Sequence, residues 1–327
     1  MRGGDNLTAL PDEDSLLTKP PIEHRNLVIG YGLVLLGALG FSAKAIIVKL
    51  AYAANAEVDA ITLMALRMLF ALPFFLLVAV WHNKKSPALP LDKKQWGVVI
   101  VLGLMGYYIA SYLDFMGLQY ISAGLERVII FLYPTFVVLF SALVYRRRIT
   151  ARIGIALGLS YIGTMLVFIE HLSVVSSGLL LGSGLLLGSA IIFSWFVMGS
   201  GVMTQRIGSA RFTAYTMTVA SVATLVHYAF QHGAALTRSP SLQYAGWERV
   251  YYLALIMAIF STVLPAFFMN AGIRRIGAGS ASIISTTGPI ATLVLAYMLL
   301  GEAITLIQLV GTFFVLAGVY VVSRVQL

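Results

Sequence analysis

The chain has 327 residues, of which 59% are hydrophobic and 11% charged, with a mean hydropathy of +0.90. Soluble domains carry about 25% charged residues, so an ordinary soluble globular fold is excluded. The net charge of +9 comes from Lys and Arg in short turns between apolar blocks, a membrane-orientation pattern rather than a nucleic-acid face, and the lack of cysteine excludes disulfides and thiolate chemistry.

Residues 1–27, ending "PPIEHRNL", are polar and contain proline. They lack the basic and apolar regions of a cleaved signal peptide and are predicted to be a disordered cytoplasmic tail. Ten apolar blocks then follow, each long enough to cross about 30 Å of hydrocarbon as a helix. They are predicted at 28–50, 59–81, 96–117, 121–145, 150–169, 179–203, 212–231, 247–270, 277–300 and 305–323. The fold class expected is therefore all-α integral membrane.

In chain order, helix 1 carries Lys44 and Lys49 within "GFSAKAIIVKLAY", helix 2 carries Arg67, helix 3 carries Asp114, and helix 4 carries Glu126 and Arg127. Near the helix centres stand Phe41 and Ser42, Tyr107 and Tyr108, Tyr133, Phe193 and Trp195, Phe260 and Ser261, and Thr286 and Thr287. Aromatic faces with scattered hydroxyls suit a mostly apolar cavity, and suit plain packing equally well. Pro134 and Pro289 interrupt helices 4 and 9, and helix 6 opens with Gly178/Gly182 and Gly184/Gly188 at GxxxG spacing. Those glycines fit static packing, a dimer contact or sliding helices.

With the N-terminus inside, sixteen Lys and Arg fall on inner segments and two, Arg238 and Arg249, on outer loops. Positive-inside logic thus predicts N-in, C-in. A shift of 155 residues superimposes Ala123 on Ala278, Gly124 on Gly279, Pro134 on Pro289 and Gly163 on Gly318. Helices 1–5 (28–169) and 6–10 (179–323) therefore read as two copies of one unit. An odd number of helices per copy inverts the second relative to the first, the usual construction of secondary transporters.

The segment "NAGIRRIGAGSASIISTTGPIATLVLAYMLLGEAITLIQLVGTFFVLAGV" (270–319) resembles the EamA-like domain of the drug/metabolite transporter superfamily, with Pro289 in mid-helix, Gly301-Glu302 at the helix end, and Gln308, Gly311 and Gly318. "FSAKAIIVK" (41–49) is similar to the family's first-helix pattern, with lysine eight residues after an aromatic, and Arg67 matches its second-helix arginine. Arg146-Arg147 departs from the family's Gly-Glu at that point. The resemblance implies a ten-helix carrier of small organic metabolites, often exporting them, with Lys49 the recurring lysine.

Helical rise places Lys44, Arg67, Asp114, Glu126 and Arg127 at similar depth, about 5–12 Å below the outer face. Charges at that depth face the bundle and find partners, as an ion-paired brace or gate or as substrate contacts. Three cations against two carboxylates leave one cation for an anionic group such as an amino-acid carboxylate. Lys44 and Lys49 lie about 140° apart on their helix, so Lys44 is the buried candidate and Lys49 is expected to snorkel to water.

No HExxH, GxSxG or GxxxxGK[ST] occurs, and His227 and His232, five apart, do not share a helix face. The sequence therefore reads as a carrier rather than an enzyme, with no cofactor and no metal. A membrane enzyme and a channel or receptor are the alternatives. The expected partners are a small-molecule substrate and the lipid bilayer of the bacterial inner membrane. Aromatic amino acids are the narrower cargo suggested by the aromatic midplane. Proton coupling through Asp114 or Glu126 fits as well as facilitated diffusion.

Overall fold

The computed structural model describes residues 24–85, 91–144, 146, 151–172, 178–236, 246–285 and 287–325. The predicted disordered tail (1–27) lies almost wholly outside the described residues, as does Thr286.

In the first copy, α1 (His24–Ala54) begins four residues before the predicted boundary and is followed by α2 (Ala60–Lys85). The third predicted helix is α3 (Lys93–Gly103), a π-helical turn (Leu104–Ile109) and α4 (Ala110–Gly117). The fourth is divided into α5 (Ala123–Ile130) and α6 (Tyr133–Val144), and α7 (Ala151–Leu172) is the fifth. Local chemistry fixes several starts. Asp92 and Gln95 form a reciprocal capping box ahead of α3, and the Asp59 carboxylate accepts the Thr62 amide at 2.9 Å at the head of α2.

The second copy comprises α8 (Leu179–Ile207), α9 (Ser209–Leu236), α10 (Trp247–Ala258), a π-helical turn (Ile259–Val263), α11 (Leu264–Ser285), α12 (Thr287–Leu300) and α13 (Leu306–Val325). Gly208 alone joins α8 to α9, at a φ of 83° that a side chain would strain.

One irregularity recurs at the repeat offset. The π-helical turns begin at Leu104 and Ile259, 155 residues apart. The fourth predicted helix is also interrupted, by a turn at 131–132 between α5 and α6. Pro134 stands in the first turn of α6, where the missing N–H costs no helical bond.

Segment α11 is helical throughout yet doubles back. A Cβ on Gly37 would lie 3.2 Å from the Pro265 oxygen, and one on Gly30 would lie 2.5 Å from Ile276, so the chain descends α1. Gly288 nevertheless accepts the Ser42 hydroxyl at 2.9 Å. A straight helix would have carried it about 18 Å beyond Ile276. The chain therefore turns back between Ile276 and Gly288.

Among the described residues, six helices are long and apolar enough to cross a membrane, and shorter apolar helices occur at Gly154–Ile169, Thr287–Leu300 and Leu306–Val321. Helix α9 is outside both groups because it is rich in hydroxyls. The Thr216, Thr218, Ser221 and Thr224 hydroxyls each donate to the carbonyl four residues earlier, at 2.7–2.8 Å, so these four hydroxyls are satisfied within the helix. The largest apolar core joins α1, α2, α4, α10 and α12 around Val48, Met64, Phe115, Ala254 and Ala296. Large apolar side chains such as Leu77, Leu180, Phe230 and Met298 point outward, as a bilayer surface requires.

The internal repeat also has a packing reason. A Cβ on Gly163 of α7 would stand 2.4 Å from the Gly311 oxygen, and one on Gly318 would stand 2.5 Å from the Ala156 oxygen. Helices α7 and α13 thus meet backbone to backbone through small residues.

Candidate functional site

Four of the five predicted charges converge. Ser122 caps α5, its hydroxyl accepting the Leu125 amide at 3.2 Å, which places Glu126 in the first turn where the helix dipole favours a carboxylate. Lys44 of α1 pairs directly with Asp114 of α4 and stands 3.6 Å from Glu126 Oε1. Arg127 Nε lies 3.7 Å from Glu126 Oε2, and its Nη2 donates to the Phe41 carbonyl at 3.0 Å. Glu126 is fully buried, and among the described residues neither of its oxygens has a hydrogen-bond partner, only these longer ionic contacts. Two cations and two carboxylates thus form a neutral group, the arrangement that makes charge tolerable at this depth.

Arg67 is the fifth charge and stands apart. It is buried against the Phe115 ring, with its guanidinium carbon 4.7 Å from the ring centroid. Its Nε and one terminal nitrogen have no hydrogen-bond partner among the described residues, and no described carboxylate lies within ion-pair range.

Lys49 behaves differently from the expectation that it reaches water. Its ammonium donates to the carbonyls of Ile121 at 2.9 Å and Leu118 at 3.3 Å, at the end of α4. On the other side of the same corner, Glu302 accepts the amides of Ala123 at 3.0 Å and Gly124 at 3.3 Å. Lysine at a helix C-terminus and glutamate at a helix N-terminus both oppose the local dipole. Gly301 makes this reach possible. Its φ of 68° ends α12, and the Glu302 amide closes back on the Ala296 carbonyl at 3.2 Å. Sequence reasoning missed the Glu302 contact, although the Gly-Glu pair at a helix end was a visible signal.

Helices α5 and α12 run antiparallel. Ala123 meets Glu302 at one end, while Arg127 and Gly288 both reach Ser42 at the other. By the 155-residue offset α12 answers to α6, so α5 and α12 are the first half of the fourth predicted helix and the second half of the ninth.

The predicted midplane residues divide into groups. Tyr133 packs on Phe193 with centroids 5.1 Å apart, Phe193 on Phe196 at 5.5 Å, and Tyr107 on Phe196 at 4.9 Å. Tyr108 instead bonds to His227 at 3.0 Å, beside Tyr112. Trp195 stacks on Phe140 of α6 at 4.9 Å and is 38% exposed, away from the Tyr133 group. Phe41 is partly exposed, Ser42 is buried against Gly288, and the buried Ser261 hydroxyl in the second π-helical turn has no partner among the described residues. A cavity of about 310 Å³ lies elsewhere, lined by Tyr52, Ala56, Glu57, Val58, Asp59 and Gln119. Of the GxxxG glycines, Gly178 and Gly182 press against Tyr120, whereas Gly184 has open space around it.

The chain is similar to proteins from bacteria and archaea. The "Uncharacterized transporter YcbK" of Bacillus subtilis (strain 168) is 31% identical over 299 residues, covering 90% of this chain and 93% of that protein. The "Uncharacterized inner membrane transporter YicL" of Salmonella typhimurium is 25% identical over 263 residues, covering 79% of this chain and 83% of that protein. A solved crystal structure 17% identical superposes with a TM-score of 0.57 over 92% of this chain and 97% of the other, which shows a shared fold. The profile of the EamA-like transporter family matches twice, at residues 28–169 and 180–324. Two family domains filling nearly the whole of an apolar helical chain identify it as a multi-pass membrane transporter belonging to the EamA-like transporter family.

Proposed function

We propose that the protein is a secondary carrier that moves small organic metabolites, amino acids or related compounds, across the membrane by alternating access, in the export direction. The observation that carries this reading is the pair of matched interruptions. π-Helical turns recur 155 residues apart in two copies of one domain. Irregular helical turns at equivalent positions supply the departures from regular backbone with which such carriers build a substrate site between repeats.

The antiparallel course of α5 and α12 supports an inverted arrangement of ten spans, N-in and C-in. The names of similar transporters, one of them an inner membrane protein, support the bacterial cytoplasmic membrane as location. The aromatic groups around Tyr133, Phe193, Tyr107 and Tyr108 favour aromatic amino acids as cargo. Asp114 and Glu126 are the carboxylates through which a proton would be coupled.

The test is counterflow in proteoliposomes with a panel of amino acids and related metabolites. The carrier reading expects saturable uptake driven by internal unlabelled solute. Uncoupled, non-saturating current would mark a channel instead, and the absence of flux for every solute would end the carrier reading.

A further inference from the structure

Among the described residues Arg67 has no carboxylate within ion-pair distance; the charge acting on it is Asp114, which is already paired with Lys44. Lys44, Asp114, Glu126 and Arg127 balance one another, and the remaining cation is this arginine, 5% exposed. A guanidinium stays charged in any protein environment, so protonation cannot relieve its burial as it can for lysine or a carboxylate. The Phe115 face offers it a cation–π contact, yet Nε and a terminal nitrogen keep unfilled donors. The neighbouring Asp114 is committed to Lys44 through Oδ2, while its buried Oδ1 also has no hydrogen-bond partner among the described residues. Free donors on Arg67 therefore stand beside a buried charge group whose acceptors Asp114 Oδ1, Glu126 Oε1 and Glu126 Oε2 have no hydrogen-bond partner among the described residues.

A cavity lies on the outer side of this group. The Tyr52 hydroxyl donates to the Phe115 carbonyl at 2.8 Å, and Tyr52 lines the outer cavity of about 310 Å³. Arg67 sits eight residues along α2 from Asp59, another lining residue, about 12 Å deeper.

We propose that Arg67 is the carboxylate-recognition residue of this transporter, taking the carboxylate of the transported metabolite on its free N–H donors, with Asp114 Oδ1 placed to accept a donor such as the amino group. The proposal rests on the carrier reading and narrows its cargo to carboxylate-bearing metabolites, α-amino acids foremost. A planar guanidinium offers two parallel N–H donors to a carboxylate, a geometry that an amide or an amine cannot use. It differs from a purely structural role, in which Arg67 serves only to pack on Phe115.

The experiment compares L-phenylalanine, phenylpropionate, L-phenylalaninamide and phenethylamine on the full-length protein, by counterflow in proteoliposomes and by ligand-induced thermal stabilisation in detergent. Wild type should transport and be stabilised by the two carboxylates at least tenfold better than by the amide and the amine. Arg67→Lys, which keeps charge and volume, should raise the KM for carboxylates at least tenfold, and Arg67→Gln should abolish the preference. Equal handling of all four probes, or an unchanged preference in Arg67→Lys, overturns the assignment while leaving the carrier reading intact. Carboxylate-dependent stabilisation without flux supports the Arg67 site and removes the carrier reading. Neither flux nor stabilisation with any carboxylate overturns the assignment.

Discussion

The Ala123 amide donates to the Glu302 carboxylate at 3.0 Å, so the helix bearing Glu126 and Arg127 in the first copy is capped by a residue of the second. Glu302→Ala removes the acceptor for two helix-start amides and is expected to cost about 1–2 kcal/mol. Glu302→Gln, with one amide oxygen left, should cost less. The thermal midpoint of the purified protein in detergent reads this directly, and unchanged midpoints for both variants would rule the cap out.

Lys44 serves two carboxylates at once. Lys44→Ala leaves Asp114 and Glu126 short of a buried counter-charge and should destabilise by about 3–5 kcal/mol. Adding Asp114→Asn should return part of that loss, so the double variant unfolds nearer to wild type than the lysine variant alone. Additive losses would mean the two side chains act independently. Normal counterflow in both Lys44→Ala and Glu126→Gln would reduce the charge group to a brace.

Lys49 holds turn carbonyls rather than substrate. Lys49→Met should lower stability by about 1–3 kcal/mol through the stranded acceptors at Leu118 and Ile121, with the order of preference among transported solutes unchanged. A changed preference at unchanged stability would move Lys49 into the binding site.

The α7–α13 seam predicts a position-specific response. Gly311→Val must displace Gly163 backbone lying 2.6 Å from the first added carbon, and should cost about 1–3 kcal/mol or more. Gly154→Ala and Gly158→Ala, on the same helix as Gly163 but with nothing within 4 Å of the added carbon, should leave the midpoint near wild type. Similar losses at all three sites would argue against tight packing as the cause.

The charge group was legible in the sequence because helical rise converts residue number into depth, and four residues at one depth found one another. Arg67 shares that depth, but its partner is a ring face rather than a carboxylate, and depth does not report direction around the helix axis. The partners of Lys49 were not foreseen because they are backbone carbonyls, which leave no pattern in a sequence. Glu302 escaped notice because its partners lie 178 and 179 residues away and are again backbone. Helix α9 was predicted from its apolar length. That its hydroxyls are buried and turned onto their own helix emerged only from the structure. The cavity near Asp59 was missed because it is lined by polar residues around a helix start, outside the apolar blocks.

Ser42 and Thr292 give the meeting of the two copies an unusual economy. The Ser42 hydroxyl is 2.9 Å from the Gly288 carbonyl across the contact and 2.8 Å from Ala38 on its own helix. The Thr292 hydroxyl is likewise 3.3 Å from the Ser42 carbonyl and 3.2 Å from Gly288 on its own helix. Each carries one proton and two acceptors, one foreign and one native. If α1 and α12 part, neither proton is stranded in a medium without water, because each returns to its own backbone. These two hydroxyl bonds between the copies can therefore release without leaving an orphaned donor.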